Sequence, residues 1–148
     1  MFSASPIKAW LFVVIQFGCL IAIAATGPLV ARNVLLLAVE ILGGVLIAWA
    51  VWSARVTKLS VLPETQYGAR LVERGPYAFI RHPMYAALLL ISLALVLDAP
   101  STVRFVVWGV LLVNLVLKLL YEEERLRERF AGYLVYQMRT KRLVPFIF

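Results

Sequence analysis

Long apolar runs separated by short polar segments dominate the chain, and the first two runs predict a pair of membrane-spanning helices. Residues 9–31 carry no charged side chain, and residues 33–54 carry only Glu40. A helix of about 20 apolar residues crosses the roughly 30 Å hydrocarbon core of a bilayer, so each run is long enough to span it. Gly27 and Pro28 are turn-forming residues and predict a tight connection between the two spans.

A second pair of shorter apolar runs predicts a helical hairpin. The polar sequence DAPSTVR separates these runs, and Lys118 interrupts the second run before LLY completes it. The four predicted spans are residues 9–31, 33–54, 83–103 and 104–121. A polar loop of residues 55–82 joins the two pairs, and residues 122–148 follow the last span as a helix and tail.

Composition agrees with this pattern and limits the domain count. The chain has 148 residues, of which 63% are hydrophobic, whereas a soluble domain has about 45–50%. Four spans use most of this length and leave no room for a separate soluble domain. We therefore expect one all-α integral-membrane domain, a polytopic helical bundle of residues 1–148.

The distribution of basic residues predicts the orientation of the bundle. Lys8 precedes the first span, and other lysines and arginines concentrate in the loop of residues 55–82 and from Lys118 onward, whereas Arg32 and Arg104 fall in the opposite loops. Because basic loops stay on the cytoplasmic side, both termini and the middle loop are expected in the cytosol. The net charge of +7 then predicts contact with anionic lipid headgroups. Nucleic acid is not an expected partner, and small membrane bundles with glycine-rich faces can form oligomers.

The sequence RGPYAFIRHPMY, residues 74–85, is the first cluster of candidate functional residues. It contains the chain's one histidine, His82, and the prolines Pro76 and Pro83. Proline is favoured at the first helical position, so two helices are predicted to begin here with their N–H groups in the headgroup zone. Such N-termini bind carboxylates and phosphates. His82 precedes a proline and is therefore expected to lie outside the helix that follows.

The sequence KLLYEEERLRERF, residues 118–130, is the second cluster and is expected to extend the fourth span into the cytosol. Lys118 and Glu122 are four residues apart and share a helix face, although lysine before glutamate is the weaker order for helix stabilisation. Lys118 can either line a cavity or extend outward to the interface, and its spacing favours neither.

Together these two clusters resemble a known family. The chain contains GPYAFIRHPMY, then a helical hairpin, EE and a terminal RLVPF. This arrangement is similar to that of the integral-membrane methyltransferases typified by isoprenylcysteine carboxyl methyltransferase. Phospholipid N-methyltransferases have a similar arrangement. The resemblance extends from Leu71 to Phe146, whereas the first two spans carry no signature.

This resemblance implies a pocket for S-adenosylmethionine and a methyl acceptor that enters from the bilayer. Lys118 stands where the carboxyl methyltransferases have an acceptor-binding arginine, so Lys118 and Glu122 are the implied catalytic residues and Lys118 the substrate-binding one. Lysine keeps the charge but loses the planar fork that suits a carboxylate, which leaves a prenylcysteine carboxylate, a phospholipid amine and a small lipid open as acceptors. FAGYLVY is one residue shorter than the family pattern, so the placement of Phe130 is open by one position. The implied cofactor-binding residues are Ala69, Arg70, Leu71, Val72, Tyr77, His82, Pro83, Met84, Tyr85 and Glu122.

Other interpretations remain open at this stage. His82 can simply cap the third helix and pair with Glu122 or Glu123, and the tyrosines can form an interfacial belt. If the acceptor needs a base, His82, Glu122 and Glu123 are candidates. Glu40 can be the coupling site of a small proton-coupled exporter, or, beside Gly43 and Gly44, a protonated group bonded across a helix contact. A non-catalytic membrane protein is the remaining alternative. Cys19 is the one cysteine, so no metal site is expected.

Overall fold

A computed structural model describes residues 6–56 and 71–148, and within these residues the fold is all-helical, as predicted. The helices are α1 (Pro6–Ala25), α2 (Val34–Val56), a short 3-10 helix (Gly75–Ala78), α3 (Pro83–Asp98), α4 (Thr102–Arg129) and α5 (Tyr133–Arg139). By length and composition, α1, α2 and α4 can cross a membrane, whereas α3 is apolar but shorter. The chain is an integral-membrane helical bundle.

The helix bounds differ from the sequence prediction in both hairpins. The first span was predicted to reach residue 31, but α1 ends at Ala25. The third span was predicted to reach residue 103, but α3 ends at Asp98 and α4 begins at Thr102. Ser101 caps α4, because its hydroxyl accepts from the backbone N–H of Arg104 at 3.3 Å. Helix α4 then continues without a break for 28 residues, about 42 Å at 1.5 Å per residue. It is therefore longer than the hydrocarbon thickness, and its last turns, with the end of the second cluster, can extend beyond the core.

The helices pack in the order α1, α4, α3, α2, with each neighbouring pair antiparallel. The buried core lies between α1, α3 and α4 and includes Ile23, Val96, Leu111 and Leu115. Gly43 makes the close helix contact expected of it, since an added Cβ would lie 2.5 Å from Cγ1 of Ile91 on α3. This arrangement places the start of α3 beside the end of α4. We call this end of the bundle, where α1 begins and α2 ends, the basic end.

At the opposite end, Arg104 holds two helix C-termini together. Its side chain was expected in a loop, but it is buried in the first turn of α4. The guanidinium donates to the carbonyl oxygen of Ile23 on α1 at 3.0 Å and to that of Leu95 on α3 at 2.6 Å. The last carbonyls of a helix carry partial negative charge, so they stabilise this buried cation.

Glu40 has a structural role at the same end. Its Oε2 accepts from the backbone N–H of Ala31 at 2.9 Å. Glu40 therefore holds the connection between α1 and α2. Its hydrogen bond goes to this connection and not across the helix contact that Gly43 and Gly44 suggested. This hydrogen bond gives the Glu40 carboxyl a structural role that does not require ion coupling.

Candidate active site

A short parallel pairing joins the C-terminal tail to the segment before α3. Lys141 donates its N–H to the carbonyl of Phe79 at 3.1 Å. The N–H groups of Arg81 and His82 donate to the carbonyls of Lys141 and Arg142 at 2.7 and 3.0 Å. This pairing brings the RHP sequence and the tail to the end of α4.

Pro83 begins a helix as predicted, whereas the helix at Pro76 begins one residue earlier, at Gly75. Gly75 has φ +60°, a left-handed conformation that favours glycine. Its close approach to α2 also excludes a side chain, because an added Cβ would lie 2.1 Å from Oγ of Ser53. Pro76 lies in the first turn of the 3-10 helix, and Pro83 begins α3 with His82 at its N-cap position. His82 therefore lies outside the helix, as its position before proline predicted.

His82, Tyr85 and Glu122 form the first polar cluster of the site. Tyr85 donates its hydroxyl to Oε1 of Glu122 at 2.7 Å. The imidazole of His82 lies parallel to the ring of Tyr85 with centroids 5.4 Å apart, and its Nδ1 lies 3.9 Å from Oε2 of Glu122. The Glu122 side chain is 37% exposed, so its second oxygen is accessible to a ligand.

Lys118 joins this cluster from one helical turn earlier on α4. Its Nζ donates to Oε1 of Gln16 on α1 at 3.0 Å and lies 4.9 Å from the ring centroid of Tyr85. The side chain therefore points into the bundle, which decides between the two placements that its spacing left open. Lys118 and Glu122 both contact Tyr85 and present opposite charges to one region.

Glu123, the next residue, has a different environment. Its carboxylate is buried, with Arg81 Nε at 2.7 Å from Oε1 and Arg142 Nε at 3.2 Å from Oε2. Gln137 Nε2 also donates to Oε2 at 3.2 Å, and His82 Nε2 lies 3.5 Å from Oε1. Glu123 thus connects α4 to the start of α3, to α5 and to the tail. Because these donors occupy both oxygens, Glu123 is not the base that the sequence left open.

The tyrosines of the site are hydrogen-bonding groups inside the fold. Tyr136 on α5 donates to the carbonyl of Tyr77 at 2.7 Å and so fixes the 3-10 helix. Burial raises the pKa of Tyr133 to about 12 and raises the pKa of Tyr77 and of Tyr136 above their usual value. All three phenols therefore stay protonated at neutral pH. Four buried polar atoms have no hydrogen-bond partner among the described residues, and two of them, the Tyr133 hydroxyl and His82 Nε2, lie in this site.

An apolar cavity of about 540 Å³ adjoins this region. Its walls come from α2, α3, α4 and the tail, and include Trp49, Leu89, Trp108 and Leu143. Ile80 and Leu143 line the cavity, whereas their neighbours Arg81 and Arg142 contact Glu123. The pairing of the tail with the start of α3 therefore forms part of both the cavity and the polar network.

The structure brings together four of the residues implied by the resemblance, His82, Tyr85, Lys118 and Glu122. Pro83 is buried beside them and Met84 is exposed, while Leu71 and Val72 lead into the 3-10 helix that carries Tyr77. Ala69 and Arg70 lie outside the described residues. Arg81, Gln137 and Arg142 were not proposed from sequence, and Glu123 was proposed only as a base or as a partner of His82. The sequence contained one indication of this network. Adjacent helical residues point in different directions, so the second glutamate of EE had to contact different groups from the first.

Comparison with known proteins identifies the family of this arrangement. A family model described as phospholipid methyltransferase matches residues 31–132, more than half of the chain. The match extends from the α1–α2 connection to the residue before α5, so it includes His82, Lys118 and Glu122. No curated protein and no solved structure matches the chain.

Proposed function

The chain belongs to the phospholipid methyltransferase family, and we propose that it transfers a methyl group from S-adenosylmethionine to an amine-bearing phospholipid in the cytosolic leaflet. The observation that carries this proposal is the convergence of Lys118, Tyr85, His82 and Glu122 at the basic end, beside an apolar cavity. Opposite charges next to an apolar cavity suit a ligand with a charged headgroup and a hydrocarbon tail.

The residues present fit the cofactor in charge. Glu122 offers an accessible carboxylate oxygen to a cation or hydroxyl, and His82 Nε2 is a buried polar atom with no hydrogen-bond partner among the described residues. When bound, the cofactor supplies a methyl group already activated on a sulfonium. The residues that would hold it are Leu71, Val72, Tyr77, His82, Pro83, Met84, Tyr85 and Glu122.

The acceptor class follows from Lys118 and the cavity. A lysine ammonium is a point charge that binds phosphate well, and it lacks the bidentate fork that matches a carboxylate. The phosphate of a phospholipid would contact Lys118, and its hydrocarbon chain would occupy the cavity lined by Trp49, Leu89 and Trp108. We expect the acceptor to enter from the bilayer, because the apolar helices α2, α3 and α4 form much of the cavity wall.

An amine acceptor requires one proton transfer before it can react. The headgroup ammonium would release a proton to Glu122, and the freed nitrogen lone pair would form the new N–C bond to the methyl carbon while the S–C bond breaks and its electron pair stays on the sulfur of the cofactor. Glu123 cannot take this role, because Arg81, Arg142 and Gln137 occupy it. Tyr85 orients Glu122 through its 2.7 Å hydrogen bond, and holding the two reactants in line supplies the rest of the catalysis.

A radiolabelled methyl-transfer assay on total membrane lipids tests this function. Wild-type protein is expected to place base-stable label in phospholipid, whereas base-labile label in protein would indicate a carboxylate acceptor and reject the phospholipid. Glu122→Gln should lower the rate by about 10²-fold or more, as loss of a general base does, and the neighbouring Glu124→Gln serves as the control. If calorimetry detects no S-adenosylmethionine binding to the wild type, the methyltransferase proposal is rejected.

A further inference from the structure

Residues 133–148, which we call the C-terminal segment, have two faces with different surroundings. The inner face contacts the site, since Tyr136 donates to the carbonyl of Tyr77 and Arg142 pairs with Glu123. The outer face exposes large apolar side chains, with Met138 80%, Phe146 89% and Ile147 80% accessible. An apolar surface of this kind outside the predicted spans indicates a partner.

The position of the segment indicates where that partner is. Helix α4 is about 42 Å long for its 28 residues, so its end lies beyond a hydrocarbon core of about 30 Å. The C-terminal segment begins four residues after α4 ends at Arg129. It therefore starts in or near the headgroup region.

Charge selects among the possible partners. Arg139 and Lys141 are exposed on the same segment as Met138, and apolar side chains combined with basic ones are typical of segments that lie in the membrane interface. Basic residues close to a bilayer are attracted to anionic lipids. A second copy of the chain would bring like charges together, which opposes self-association through this face.

We propose that the outer face of the C-terminal segment docks on anionic headgroups of the adjacent leaflet, and that docking stabilises the inner face against the site. The pairing of Arg81 and His82 with Lys141 and Arg142 transmits the effect, because fixing the tail fixes the residues bonded to it. Anionic lipid then tightens S-adenosylmethionine binding, a consequence that rests on the proposed function.

Spin labels test the docking in full-length protein in which Cys19 is replaced by alanine. The label is placed at Met138→Cys, with Glu128→Cys on the exposed last turn of α4 as control, in nanodiscs of phosphatidylcholine with phosphatidylglycerol. We expect oxygen to relax the label at position 138 more than an aqueous nickel chelate does, and the reverse at position 128. Equal chelate access at both positions would overturn the docking, as would dipolar coupling between labels that shows a second copy on this face.

Hydrogen exchange and calorimetry test the coupling in nanodiscs with and without phosphatidylglycerol. Anionic lipid should slow exchange of the Arg81 and His82 amides, and this measurement needs no cofactor. Anionic lipid should also tighten S-adenosylmethionine binding by about fivefold or more. Replacing Arg139 and Lys141 by glutamine should abolish both effects, whereas replacing Arg125 and Arg129, an equal loss of charge on α4, should retain them. Amide exchange that is the same in both lipids would overturn the coupling. Lipid-dependent exchange without cofactor binding would support the coupling and reject the proposed function.

Discussion

Glu122 and Glu123 are adjacent in sequence, yet the structure gives them different tasks. Glu122 is partly exposed and bonded to Tyr85, whereas Glu123 is buried among Arg81, Arg142 and Gln137. A charge that is exposed can exchange partners with a ligand, and a charge that is buried and fully bonded cannot do so without loss of stability. Substitutions at the two positions should therefore separate catalysis from folding.

Replacing Glu123 by alanine should destabilise the protein strongly. The change leaves the Arg81 guanidinium without its 2.7 Å carboxylate partner, and removing one member of a buried ion pair costs about 3–5 kcal/mol. Urea unfolding in detergent measures the effect, with the exposed Glu128→Ala as control. An unfolding midpoint equal to that of the control would contradict the structural role of this network.

A second residue-scale prediction concerns Gly27 at the opposite end. A Cβ added there would lie 1.8 Å from Nη1 and 2.6 Å from Cζ of Arg104. Since Arg104 is buried and bonded to Ile23 and Leu95, Gly27→Ala should cost about 1–3 kcal/mol by overpacking. The same unfolding measurement checks this against Gly44→Ala, where no heavy atom lies within 4 Å of the added Cβ. Equal stability of the two variants would show that the Arg104 contact is dispensable.

At the scale of elements, apolar runs and prolines predicted the helices, but not where the tail packs. The start of α3 at Pro83 and the extension of α4 past residue 121 follow from proline geometry and from helical spacing. The end of α3 at Asp98 follows from Pro100, because the residue before a proline is disfavoured in helical geometry, whereas the bonds of Asp98 to the backbone of Arg32 and Asn33 are a contact between distant residues. Such contacts leave no periodic signal in the sequence.

The same limit explains the unexpected part of the site. His82, Tyr85, Lys118 and Glu122 were named because the motifs contain them, and the structure brings them together. Arg142 was not named, since its contact with Glu123 requires the tail to pair with residues 79–82. Two bonded segments separated by about sixty residues cannot be paired by local pattern alone.

The tail pairing itself can be weakened at one backbone group. Lys141→Pro removes the N–H that donates to the carbonyl of Phe79 at 3.1 Å, because proline has no backbone donor. We expect faster hydrogen exchange at the Arg81 and His82 amides and at least about a tenfold loss of methyl transfer, since a small misplacement of positioning groups is costly. Lys141→Ala keeps the donor and, in phosphatidylcholine without anionic lipid, should behave as wild type. Wild-type exchange in the proline variant would show that the pairing does not hold this segment.

At the scale of the whole molecule, the bundle has two chemically different ends. One end contains the candidate site, whose ionisable residues can exchange partners with ligands. The other contains Arg104 and Glu40, whose bonds to backbone groups close the loops. A cofactor made in the cytosol can reach only one side of the membrane, so the proposed function requires the basic end to face the cytosol.

Labelling with a membrane-impermeant maleimide tests this orientation in intact cells. With Cys19 replaced by alanine, cysteines are introduced at Pro100, in the exposed loop between α3 and α4, and at Glu128, on the last turn of α4. We expect labelling at position 100 in intact cells and at both positions once the cells are permeabilised, because basic loops are retained in the cytosol. Labelling at position 128 alone in intact cells would place Lys118 and Glu122 on the side without S-adenosylmethionine. That result would reject the proposed reaction for this chain, even though its helices and polar network would remain as described.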